Sequence, residues 1–115
     1  MSIKRHEPSK IYSVAVEANG FVFLAGITPK TLSKDVKGQT EEVLAEIDRL
    51  LKLAGTDKSK AVAATIWLTD IRNREAMNEA WTAWNGGKDL PARACVEAKL
   101  ADPRMLVEIQ VTAAK

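Results

Sequence analysis

Apolar and small or polar positions alternate along Tyr12-Ser13-Val14-Ala15-Val16-Glu17, and a second β-rich run, the wholly apolar Phe21-Val22-Phe23-Leu24-Ala25-Gly26, follows it after Ala18-Asn19-Gly20. Alternation is the period of a strand, and Asn-Gly tolerates the positive φ of a type I′ turn, so this stretch predicts an antiparallel hairpin. Residues 27–37, with Pro29 and several charges, read as a surface loop. From Thr40 to Ala54 the period changes. Val43, Leu44, Ile47, Leu50, Leu51 and Ala54 recur at helical spacing, Glu41 and Glu42 fall in the predicted first turn, and Gly55 follows where a left-handed cap is favoured.

Residues 60–69 return to period two, with Val62, Ala64, Ile66 and Leu68 on one face and Trp67 on the other. A second helix is predicted over 72–84, burying Ala76, Met77, Ala80, Trp81 and Trp84 and ended by Asn85-Gly86-Gly87. Two last alternating runs, 93–100 and 105–113, flank Ala101-Asp102-Pro103-Arg104 and predict a terminal hairpin. Pairing Leu100 with Met105 sets Arg93 opposite Thr112, Cys95 opposite Gln110 and Glu97 opposite Glu108 on one polar face. Ala94, Val96, Ala98, Leu100, Val107, Ile109 and Val111 then form the face under the helices. The order is β-β-α-β-α-β-β, an α+β domain spanning 1–115 with one mostly antiparallel sheet covered on one side by two helices.

Composition narrows the partners. A chain of 115 residues buries only about two-thirds of the surface it exposes when unfolded, so self-association adds usefully to its burial. The 17 Lys and Arg and 15 Asp and Glu are spread without a basic block, which gives no nucleic-acid footprint. One cysteine and one histidine exclude an internal disulfide and a Cys/His metal cluster. Residues 1–10 lack a signal-peptide core, and no apolar run nears the roughly 20 residues of a membrane span, so a cytoplasmic chain without membrane or metal partners is expected.

Two readings of the polar hairpin face stay open. It is either a solvated side of an antiparallel sheet, or the lining of a cleft in which Arg93 offers a planar fork to a carboxylate. Glu97 and Glu108, if cross-strand neighbours, repel one another unless one binds a proton or a cation such as Arg93 or Lys99. Cys95 has no nearby base, since the one histidine, His6, lies in the N-terminal segment and reads as a surface side chain. Trp81 and Trp84 belong to the core stripe, Trp67 faces outward where a neighbouring subunit would meet it, and the isolated glycines form no phosphate loop.

The segment Pro91-Ala92-Arg93-Ala94-Cys95-Val96-Glu97-Ala98, with Leu100-Ala101-Asp102-Pro103 and Leu106-Val107-Glu108-Ile109, closely resembles the signature of the Rid (YjgF, reactive intermediate deaminase) family. The resemblance extends to Gln39-Thr40, to Ala64–Asp70, to Met77-Asn78 with Trp81 and Trp84, and to the Tyr12–Gly26 hairpin. It implies a chorismate-mutase-like fold and a homotrimer with clefts between subunits. It also implies hydrolysis of 2-imino acids to 2-keto acids and ammonia, or non-catalytic binding of a 2-keto acid in the same cleft, without a cofactor. By the same resemblance Arg93 binds the substrate carboxylate, backbone near Cys95 holds the ligand, Tyr12 lines the pocket, and Glu108 positions or activates the water. Ala25 stands where many active deaminases carry serine, and Ile27-Thr28-Pro29 replaces the usual Gly-Gln-Ile-Pro, which implies a divergent subgroup.

Overall fold

Asn19 and Gly20 take φ of 52° and 80°, so the chain reverses in the expected tight turn between two strands, β2 (Ser13–Ala18) and β3 (Phe21–Leu24). In the computed structural model, which describes residues 2–115, a strand absent from the sequence expectation precedes them. Strand β1 (Ile3–Pro8) pairs antiparallel with β2 and carries His6, which is not a free surface residue. Its side chain is only 10% exposed and its Nε2 lies 2.5 Å from Glu17 Oε2.

Helix α1 (Val36–Leu53) starts a turn earlier than its apolar stripe suggests. Asp35 accepts the Gly38 amide at 2.8 Å as N-cap, so Glu41 and Glu42 lie beyond the first turn. Its other end is the predicted one. Gly55 adopts φ 84°, and the amides of Gly55 and Thr56 close on the carbonyls of Lys52 and Leu51. Strand β4 (Ala61–Leu68) is followed by α2 (Arg74–Asn85), which ends on left-handed Gly86, and then by β5 (Ala92–Glu97) and β6 (Val107–Ala114). The register of β4 breaks between Ala61 and Ala63, and this irregularity turns Val62 out to solvent instead of inward with Ala64.

The sheet order is β1-β2-β3-β6-β4-β5, and this overturns the predicted terminal hairpin. Strand β6 inserts between β3 and β4, antiparallel to both, while β5 pairs parallel with β4 at the far edge. The physical reason lies in burial. Val107, Ile109, Val111 and Ala113 are all fully buried, which a central strand achieves and an edge strand does not. The run β4-α2-β5 is a strand-helix-strand unit, whose natural closure is parallel.

Both helices cover one face of this mostly antiparallel sheet. Val43, Leu44, Ile47, Leu50 and Leu51 of α1 meet Val22, Leu24, Ile66, Leu68 and Ile109 of the sheet. Burying each such side chain stabilises the fold by about 1.5–3 kcal/mol. The other face is open and largely apolar rather than polar: Phe21, Phe23 and Val96 are 39%, 45% and 45% exposed. No helix among the described residues is long and apolar enough to cross a membrane.

Candidate active site

A cleft forms where the ends of three strands meet a loop. Tyr12 and Ser13 at the start of β2, Ala25 and Gly26 after β3, and Glu108 and Gln110 on β6 line it, and Ala101 and Met105 of the β5–β6 loop close one side. Its volume is about 600 Å³. Gln110 Nε2 donates to the Leu24 carbonyl at 3.1 Å, which ties the β6 wall to the β3 wall.

Glu108 is the carboxylic acid among the residues that line this cleft. It pairs in register with Trp67 of β4, so both side chains stand on the open face. Its carboxylate lies directly against the Gly26 backbone, and a Cβ at position 26 would overlap Glu108 Oε2. Only glycine permits that approach. Burial raises the Glu108 carboxyl above its ordinary pKa, and no cation among the described residues offsets the effect. A carboxyl so tuned exchanges protons more readily near neutral pH than a free one.

Arg93 does not share this cleft. On β5 it is in register with Ala64, and Cys95 with Ile66, both inward positions of β4, so Arg93 and Cys95 stand on the helix side of the sheet. Arg93 Nη1 donates to Asn78 Oδ1 at 2.8 Å, and its guanidinium lies over the Trp81 ring, 5.3 Å from the centroid. An amide oxygen and an aromatic face orient a guanidinium without neutralising it. Arg49, Arg72 and Arg104, by contrast, each hold a carboxylate.

The expectation that Arg93, Cys95, Glu97, Glu108 and Gln110 share a face therefore fails, because β4 separates β5 from β6 and the two strands are out of phase about it. Glu97 is not a neighbour of Glu108. It pairs with Leu68, and its Oε1 accepts the Ile71 amide at 3.0 Å. Tyr12 and Glu108 both line the cleft. Gly26, Met105, Asn78 and Trp81 were not anticipated in these settings. Asn78 and Trp81 are three apart on α2, a spacing that sets both on one helix face. Among the described residues no cluster of three His, Cys, Asp or Glu side chains is placed to hold a metal.

Comparison with known proteins agrees with the fold. A "RutC family protein" of Haemophilus ducreyi is 40% identical over 112 residues, covering 97% of this chain and 96% of its own length. The crystal structure of a YjgF-family protein from Neisseria meningitidis superposes with a TM-score of 0.96 at 44% identity, covering 100% of this chain and 96% of that one. The chloroplastic "Reactive Intermediate Deaminase A" of Arabidopsis thaliana is 33% identical over 108 residues, which span 89% of this chain and 57% of that protein. The family model described as "Endoribonuclease L-PSP" matches residues 2–115, and the chain belongs to this family, also called YjgF or Rid.

Proposed function

We propose that the protein hydrolyses 2-imino acids to 2-keto acids and ammonia in clefts shared between copies of the chain in a homotrimer. The observation that carries this reading is Glu108, a carboxyl with a burial-raised pKa set against Gly26 in a cleft that holds no compensating cation. Such a group can orient a water, take its proton as the oxygen bonds to the imine carbon, and return a proton to nitrogen as the C–N bond breaks. The substrate carboxylate requires a separate anchor, and Arg93, oriented by Asn78 and Trp81 without a carboxylate partner, has the planar fork for it.

Arg93 and Glu108 stand on opposite sides of the sheet of one chain, so in this reading each cleft takes its Glu108 and Tyr12 from one copy and its Arg93, with backbone near Cys95, from a neighbour. The apolar open face, with Phe21, Phe23 and Val96 exposed, gives copies of the chain a surface on which to associate. Ribonuclease chemistry, which the family model's description suggests, finds less support. The one histidine is bonded to Glu17 on the first strand pair and does not line the cleft.

The test is an assay in which an amino-acid oxidase generates defined 2-imino acids and their loss is followed. The protein should accelerate that loss, and Arg93→Ala and Glu108→Ala should each abolish the acceleration. A second reading rests on Ala25, whose methyl supplies no hydroxyl beside Gly26: the cleft binds a 2-keto acid without turnover. Under it, no imine is consumed by the wild-type protein, and Glu108→Ala retains 2-keto acid binding while Arg93→Ala loses it.

A further inference from the structure

Gln39 is polar, lies on α1 away from the cleft lining, and is completely buried. Its carboxamide makes a matched pair of bonds to the β5–β6 loop: Nε2 donates to the Arg104 carbonyl at 2.9 Å, and Oε1 accepts the Leu106 amide at 2.7 Å. These two backbone groups flank Met105, the residue of that loop which, with Ala101, forms the wall of the cleft. Nε2 also reaches the Lys34 carbonyl at 3.2 Å, in the loop that follows the lining residues Gly26 and Thr28. One turn further along the helix, Glu42 Oε1 accepts the amides of Lys30 and Thr31 in that same loop. Two loops that contribute lining residues to the cleft are thus fastened to a single helix, and Gln39 bonds to both.

From this geometry we infer that Gln39 is a positioning residue that holds Met105 in place and thereby sets which substrate side chains the cleft accepts. The inference rests on the deaminase reading for the identity of the substrate but not for the mechanics of the wall. Met105 is unbranched and flexible, so on its own it would be a soft wall that yields to long substrates. With the peptide groups on either side pinned by one rigid carboxamide, its backbone has little freedom, and the wall discriminates. The orientation of the carboxamide is fixed by its partners, since only Oε1 can accept an amide hydrogen and only Nε2 can donate to carbonyls.

The experiment compares a short-chain and a long unbranched-chain 2-imino acid as substrates, and the matching 2-oxo acids as calorimetric ligands. The full-length proteins used are the wild type, Gln39→Met, Met105→Ala and the double variant. Met105→Ala should shift the long-to-short ratio of kcat/KM upward by about tenfold, in the range that one or two methylenes are worth in an apolar pocket. Gln39→Met should shift it in the same direction, chiefly through KM, and should add nothing once Met105 is alanine.

Gln39→Glu supplies a second handle, for it matches the original pair of bonds only when protonated. Its ratio should return toward the wild-type value as pH falls. A Gln39→Met protein with lowered thermal stability and an unchanged ratio would overturn the inference and leave Gln39 a purely structural group. The inference fails equally if Gln39→Met does not fold and the Gln39→Glu ratio matches wild type at every pH. A wild-type protein that binds 2-oxo acids without consuming imines would end the deaminase reading, and the ratio of 2-oxo acid affinities then decides the role of Gln39. Absence of both turnover and binding ends both.

Discussion

At the scale of single residues, two side chains carry opposite electrostatic designs. Arg93 is oriented by a neutral oxygen, that of Asn78 at 2.8 Å, so its charge remains available to a ligand. Asn78→Asp keeps the shape but places an anion in that position, and the resulting ion pair competes with any incoming carboxylate. The expected outcome is a rise in KM, or in Kd for a 2-keto acid, of about tenfold, equivalent to about 1.4 kcal/mol, with folding intact. Steady-state kinetics and calorimetry check it, and an unchanged affinity would place Arg93 outside the binding site. Glu108 has the reverse problem, since burial raises its pKa above 4.5 and no partner among the described residues compensates. A raised folded-state pKa stabilises the fold fully below the unfolded value and loses that contribution as pH rises through the folded value, so at neutral pH the ionised group is a cost. Glu108→Gln should therefore raise Tm at pH 7 to 8, with the gain shrinking as pH falls through the raised folded-state value and gone below about 4.3. Glu17 behaves oppositely. Bonds from Lys115 and His6 lower its pKa to about 2, so its stabilisation is present above the ordinary carboxylate range and disappears as pH falls toward that value. Thermal melts of Glu17→Gln should converge with wild type near pH 2 and lie below it at neutrality.

At the scale of elements, what the sequence discloses depends on whether the signal is local. The Asn19-Gly20 turn, the stripe of α1 with its Gly55 cap, and the stripe of α2 each write their geometry into a dozen neighbouring residues, and each is found where the pattern sets it. Strand pairing is not local. The runs 93–100 and 105–113 do form strands, but alternation alone does not say which strand lies beside which, and the assumption that neighbours in sequence pair gave Arg93 and Glu108 a common face they do not have. Two clues to the true order were available: the strand-helix-strand run through α2, and the unbroken inward series Val107, Ile109, Val111 and Ala113, which marks a central strand. β1 escaped because Lys4, Arg5, His6 and Glu7 show no apolar alternation; an edge strand mostly exposed on both faces needs none. The central placement of β6 has a measurable consequence. Ile109 is fully buried and bonded through its backbone to Ile27 in both directions, so Ile109→Ala should cost about 2–5 kcal/mol in denaturant unfolding. Gly55→Ala, forced to φ 84° at the end of α1, should cost about 1 kcal/mol.

At the scale of the whole molecule, the separation of Arg93 from the Glu108 cleft becomes a statement about assembly. Under the deaminase reading, a single chain presents half of the chemistry on each side of its sheet, with an apolar open face carrying Phe21 and Phe23, the latter lining the cleft. If copies associate through that face, a charge placed there should separate them. Phe23→Asp is expected to give a folded species of smaller mass by light scattering, with native-like circular dichroism and no imine hydrolysis, although Arg93 and Glu108 are both intact. The stronger test uses two inactive proteins. In a ring of copies related by a repeated head-to-tail interface, every cleft draws Arg93 from one chain and Glu108 from the next. Arg93→Ala and Glu108→Ala, unfolded together in equal amounts and refolded, should then regain activity in those clefts where a Glu108→Ala chain supplies the arginine and an Arg93→Ala chain supplies the glutamate. Random mixing makes that combination in about one cleft in four, so about a quarter of wild-type activity is expected from two components that have none. A site contained within one chain would give zero at every mixing ratio, because each chain then lacks one of the two groups and no neighbour can replace it.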